Sequence, residues 1–169
     1  ARDYHDAVGR AMRMIADDDS IVAEGGATIL RVHGVRTPRA IVLIHGFTDS
    51  PHQFAELADS LYASGDNVLV PRLPHHALRG RNVGELARLT AAELVHTADA
   101  AVDIAAGLGD TVVVVGLSVG GTLALWAGEE RPEVRRTVVI APAFEFTHVP
   151  SILERPLVNL SARIPNVSR

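Results

Sequence analysis

Apolar positions along the chain fall into two textures. Within residues 40–44, 67–70, 111–115 and 136–140 they run nearly unbroken, as in Ala40-Ile-Val-Leu-Ile44 and Thr111-Val-Val-Val-Val115. Such runs predict parallel strands buried on both faces. Between them the spacing turns helical. Phe54, Leu57, Ala58 and Leu61 recur at i, i+3, i+4 and i+7, one face of a helix. Leu94, Ala98, Ala101 and Ala105 line the inner side of a longer helix whose outer side carries His96, Asp99 and Asp103. The segment after Ser118 is apolar nearly all round, which predicts a helix buried against a sheet. Near the start, Val8, Met12 and Ile15 fall on one face of a helix over residues 1–18, and Asp17 to Asp19 read as the loop that ends it. Thr28 to His33 reads as an edge strand, because Arg31 and His33 interrupt its apolar character.

Local signals set the boundaries. Asp49-Ser50-Pro51 predicts a helix start with a capping side chain and proline in its first turn. Thr90-Ala-Ala-Glu93 is a capping box. Gly65, Gly107 with Gly109, and Pro132 close the three main helices. Strands alternating with helices predict an α/β domain, a mostly parallel sheet with helices on both faces and right-handed crossovers. From Glu145 the texture changes, since Pro150, Pro156 and Pro165 break up the apolar residues. Residues 1–146 are therefore read as the core. Residues 147–169 are read as the start of a cap or lid, with a helix packed on the core as the competing assignment.

Composition narrows the function classes. A chain of 169 residues with 47% hydrophobic and 21% charged residues is ordinary for one globular domain. A net charge of −4 gives no reason to expect nucleic acid or an anionic membrane surface as partner. There is no cysteine, which removes disulfides, thiolate metal sites and cysteine nucleophiles. No apolar run reaches the length of a membrane span. The first residues lack the apolar segment of a signal peptide, so a cytoplasmic protein is the default expectation.

The chemistry concentrates at Gly116-Leu117-Ser118-Val119-Gly120. This Gly-x-Ser-x-Gly sequence follows a strand pattern and opens a helix pattern, the setting that makes it a nucleophile elbow. Gly116 and Gly120 supply room where side chains would collide. Ser118 would stand at a strand's C-terminal end over a helix N-terminus, where free N–H groups and the helix dipole favour negative charge. A plain strand-to-helix turn is the bland alternative. If strand 67–70 lies outside strand 40–44, with 111–115 on its other side, the strand order reverses between 40–44 and 111–115. The loop beginning at His45 and the elbow would then face each other across one crevice, where ligands bind in such sheets.

His45-Gly46-Phe47-Thr48 after one buried strand, with Gly116-Leu-Ser118-Val-Gly120-Gly121 after another, resembles the α/β-hydrolase family. Within it the chain is similar to the small carboxylesterase and monoacylglycerol-lipase-like branch, over about residues 27 to 146. The resemblance implies that Ser118 attacks an acyl carbonyl, and that the backbone N–H groups of Phe47 and Val119 form an oxyanion hole. It implies that His45, with Gly46, shapes the first loop and is not the base. Phe47 and Leu117 would contribute apolar walls to an acyl pocket. It implies a small lipophilic ester as substrate and no cofactor or metal. Where the family often has Gly-His-Gly, this chain has Pro74-His75-His76-Ala77, and neither histidine is read as catalytic.

A serine nucleophile needs a base, and the base needs an orienting acid. In this fold they follow the serine in the order acid, then histidine. After Ser118 the only histidine is His148 and the acids are Glu129, Glu130, Glu133, Glu145 and Glu154. The expectation is that these residues are the N-terminal two thirds of the domain, with the acid and the histidine beyond residue 169. Glu145 with His148 as a local pair is a minor alternative. The rival of another class is a non-catalytic binding or scaffold protein on the same fold. A nucleotide-binding domain is a weaker rival. Gly116-Leu-Ser-Val-Gly-Gly is neither phosphate fingerprint, and the chain contains no lysine.

Overall fold

The computed structural model describes residues 1, 3–19, 21–80 and 83–143. The expected cap at 147–169, and Glu145 and His148, lie outside the described residues. In chain order the elements are α1 (Tyr4–Asp19), β1 (Ile29–Arg31), β2 (Thr37–Ile44), a 3-10 turn (Pro51–Phe54), α2 (Ala55–Ala63), β3 (Asn67–Val70), α3 (Val83–Leu86), α4 (Ala91–Leu108), β4 (Gly109–Leu117), α5 (Val119–Glu130) and β5 (Val134–Ile140).

The sheet order is β1-β3-β2-β4-β5. Strands β3, β2, β4 and β5 run parallel, while β1 joins β3 antiparallel. The alternation of strands and helices predicted a parallel sheet, and only the outermost strand departs from it. The expected reversal is present: β2 lies between β3 and β4. Ile44 pairs with Gly116 at the C-terminal ends of the two strands, so the segments that follow them start side by side.

Alternate residues of the central strands feed two cores. Ala40, Val42, Ile44, Val112 and Val114 pack on the side of α1, α4 and α5. Ile41, Leu43, Val68 and Val70 pack with Phe54 and Ala58 on the side of α2. Three expectations need correction. The buried face of α1 is Ala7, Ala11 and Asp18, while Met12 is exposed. A Cβ on Gly107 of α4 would come within 2.7 Å of the Ala7 Cβ, so the two helices meet closely through small residues, while Tyr4, Val8 and Met14 pack, partly buried, against the same core. Asp18, expected in a loop, is inside the helix and buried, with Arg72 Nε 2.7 Å from its Oδ1 and the Thr28 N–H bonded to its Oδ2. β5, expected to be buried on both faces, is the edge of the described sheet, and Val138 and Ile140 are exposed.

The helix ends follow local rules unevenly. Ser50 makes no side-chain cap. Asp49 takes the turn instead, accepting from Ser50 N and from Gln53 Nε2. The capping box on α4 is complete: Glu93 N–H donates to Thr90 Oγ1, and Thr90 N–H donates to Glu93 Oε2. The Thr90 hydroxyl also donates to Glu93 Oε2, and this bond first, then those from the Thr90 N–H and His75, hold the Glu93 carboxyl at about 2, below its usual 4.5. Because the folded value is depressed, this stabilisation is full above about pH 4.5 and is lost as pH falls towards 2. Replacing Thr90 by Ala is expected to lower stability by about 1 kcal/mol at neutral pH. Urea denaturation measures it, and the difference from wild type should shrink between pH 4.5 and 2. A difference that does not change with pH would count against the reciprocal box.

Candidate active site

β4 ends at Leu117 and α5 begins at Val119, so the whole change of direction falls on Ser118. Its backbone sits at φ 57°, ψ −118°, a region that L-residues with side chains rarely adopt. Two backbone bonds hold it: Ser118 N–H donates to the Ile140 carbonyl (2.9 Å), and the Ala143 N–H donates to the Ser118 carbonyl (3.2 Å). Thr122 adds a third, donating its N–H to the same carbonyl (3.1 Å). The turn closes only because nothing projects from the glycines. A Cβ on Gly116 would collide with the carbonyl of Gly120, and one on Gly120 would collide with the carbonyl of Ile44. The first turn of α5 thus lies directly on β2 and β4.

That close approach brings the two motifs together. A Cβ on Gly46 would stand 3.7 Å from the Ser118 Cβ and 3.8 Å from the Leu117 carbonyl. The loop after β2 is ordered by its own neighbours. Gly46 N–H donates to Gln53 Oε1 (2.9 Å), and the Gly46 carbonyl accepts from Asp49 N–H (3.2 Å) and from His45 Nδ1 (2.8 Å). His45 is fully buried. Its Nε2 accepts from the Leu73 N–H at 3.1 Å, which fixes the proton on Nδ1. Burial, the leading cause, lowers its pKa from 6.5 to about 3. A neutral ring with both nitrogens hydrogen-bonded to backbone atoms of Gly46 and Leu73 braces the loop. Among the described residues no acceptor is paired with the N–H of Phe47 or of Val119, and the latter is the first N–H of α5, which no helical carbonyl can reach. Ser118 and Val119 are half-buried, as is Phe47. Leu117 is half-buried and packs with the α2-side core.

His76 was set aside in the sequence, yet it is 2% exposed and touches the Phe47 carbonyl. Its signal was its place in the loop after β3, which by itself says nothing of contacts. Among the described residues no group of three His, Cys, Asp or Glu side chains could hold a metal ion, and no helix is long and apolar enough to cross a membrane.

Residues 41–168 match the profile of the Alpha/beta hydrolase family. The chain belongs to that family. A thermostable monoacylglycerol lipase of Bacillus sp. (strain H-257) is 32% identical over 108 residues, 64% of this chain and 42% of the lipase. A structure reported among two metagenome-derived lipolytic enzymes superposes with a TM-score of 0.59 at 30% identity, covering 67% of this chain and 44% of the other. An esterase of Pyrococcus furiosus superposes at 0.57 and 19% identity, covering 84% and 58%, and supports the fold alone. The chain thus spans less than half the length of the curated relative it matches.

Two outcomes are expected from this geometry. Gly116→Ala or Gly120→Ala should cost about 3 kcal/mol or abolish folding, since backbone atoms cannot yield as side chains do; thermal unfolding of each variant measures it. The second concerns His45. Its folded pKa is depressed, so the unfolded chain takes up the proton near 6.5 and the folded one only near 3. Stability contributed by the neutral ring is therefore full above about pH 6.5 and falls as pH is lowered. The urea midpoint should drop between about pH 7 and 5, before carboxylates titrate. A flat midpoint over that window would contradict a buried neutral His45.

Proposed function

We propose that this hydrolase is a serine esterase that cleaves carboxylic esters of short-chain or monoacylglycerol type through an acyl-serine intermediate. The observation that carries the proposal is the positive-φ Ser118 at the end of β4, with the loop from Gly46 adjacent to it and the N–H groups of Phe47 and Val119 without an acceptor among the described residues. The lipase and lipolytic relatives support ester chemistry.

In this proposal Ser118 Oγ attacks the ester carbonyl carbon and gives up its proton to a histidine base. That base and its orienting acid are supplied by sequence beyond the described residues. The carbonyl π pair moves to oxygen, and the oxyanion is held by the N–H groups of Phe47 and Val119. Such donors act on charge that appears only in the transition state, and each is worth roughly 100- to 1,000-fold in rate. Collapse expels the alcohol, which takes the proton from the histidine, and water then releases the acid by the same steps in reverse order. The Val119 N–H is favoured for this role by the dipole of α5, twelve residues long. Phe47 and Leu117 would line the acyl side of the pocket.

The test is reaction of the natural full-length protein with a fluorophosphonate probe, read by intact mass, alongside hydrolysis of p-nitrophenyl esters of graded chain length. One adduct is expected, absent in Ser118→Ala, with turnover in that variant reduced by at least about 1,000-fold. Equal labelling or equal turnover in Ser118→Ala would remove Ser118 from the mechanism. No adduct and no turnover in wild type would favour a binding protein on this fold.

A further inference from the structure

The loop after β3, residues 71–80, carries two departures from ordinary backbone. His75 has φ 65° and Ala77 has φ 55°, so non-glycine residues sit in the left-handed region on both sides of His76. A conformation that side chains disfavour persists only where surroundings impose it, and such places gather at functional sites. Between them His76 is turned inward. Its Nε2 lies 2.7 Å from the Phe47 carbonyl oxygen and its Nδ1 lies 2.8 Å from the Pro74 carbonyl oxygen. The ring also meets the Phe47 ring edge-on, centroids 5.6 Å apart at 87°, and the His45 ring at 5.1 Å and 68°. Burial lowers the His76 pKa, and a neutral ring has one N–H for two carbonyls. Both carbonyls lie within hydrogen-bonding distance of the ring, and the tautomer with its proton on Nε2 donates to Phe47.

The loop is anchored from behind. Arg72 donates from one guanidinium nitrogen to the carbonyls of Leu73 (3.2 Å) and His76 (3.1 Å), and from Nε to Asp18 (2.7 Å). Ala23 N–H donates to the Ala77 carbonyl (2.8 Å), and Arg79 N–H donates to the Ile21 carbonyl (2.9 Å). The end of α1 and the chain just after it therefore grip both flanks of His76.

Phe47 is consequently pinned at both peptides. A planar trans peptide points its C=O and N–H in opposite directions. His45 holds the Gly46 carbonyl, which sets the direction of the Phe47 N–H. His76 holds the following carbonyl, that of Phe47 itself, which stops the residue from rolling about its own Cα. We propose that His76 is a positioning residue for the oxyanion donor: it clamps the Phe47 carbonyl from a strained loop that the N-terminal segment holds in place. This rests on the esterase proposal for Ser118.

The experiment compares wild type, His76→Phe and His76→Gln in the full-length protein. Phenylalanine keeps a ring against Phe47 without a donor, while glutamine can place an amide N–H near the former Nε2. Two readouts are used: kcat and KM per probe-titrated site on a p-nitrophenyl ester, and hydrogen exchange of the peptide spanning residues 45–49. His76→Phe is expected to lower kcat about 10- to 100-fold, the scale of a donor displaced by about 1 Å. KM should change little, and exchange at 45–49 should quicken while that of β2 does not. His76→Gln should recover most of both. Wild-type kcat and wild-type exchange in His76→Phe would overturn the clamp. So would a loss of stability in which exchange quickens throughout the sheet and kcat per titrated site is unchanged. A wild type that neither turns over ester nor takes up the probe would count against the esterase proposal alone, and the exchange comparison would then decide the clamp by itself.

Discussion

Everything at the candidate site depends on one close approach, that of the first turn of α5 to the ends of β2 and β4. Gly120 lies against the Ile44 carbonyl, and Gly116 lies against Gly120. The van der Waals repulsion avoided there is what allows a strand to become a helix within a single residue. It also sets the distance between the two loops that follow β2 and β4. Were the helix lifted by the width of a methyl group, Ser118 would leave the neighbourhood of Gly46.

How much of this could be seen in the sequence depended on how local each constraint is. The elbow was legible because strand, turn and helix are written in consecutive residues. The capping box of α4 was legible for the same reason, since Thr90 and Glu93 are three positions apart. The neighbouring order of β3, β2 and β4 was one conditional reading of the sequence, because spacing along the chain does not fix strand order. What stayed hidden were pairings across long separations. Asp18 looked like a loop residue because its partner Arg72 lies far along the chain. Val8 does pack on the core, but Met12 was misjudged, because the closest contact with α4 is set by the absence of bulk at Ala7 and Gly107. β5 has the composition of a buried strand, yet exposure depends on what lies next to it, and composition is silent on that.

The two buried histidines show the same contrast in chemical form. His45 follows β2 directly, and a loop-shaping role for it came from the family resemblance of His45-Gly46-Phe47. His76 reaches the same loop from another part of the chain. Its contact with the Phe47 carbonyl depends on the unusual backbone of His75 and Ala77, which no side-chain pattern announces. Both rings are buried and held neutral by burial. They serve the loop through hydrogen bonding geometry, and their cost appears as sensitivity to acid.

The elbow separates two kinds of historical evidence. Gly116 and Gly120 are required by packing whether or not the protein has chemistry to perform, because the fold cannot close around a side chain at either place. A descendant that had lost all activity would still need them. Ser118 is the opposite case. At φ 57° a glycine would sit there with less strain, so stability by itself gives selection no reason to keep a serine. Under the proposed role of Ser118, drift at position 118 with both glycines intact would mark the branches where that chemistry was abandoned, while the fold went on unchanged.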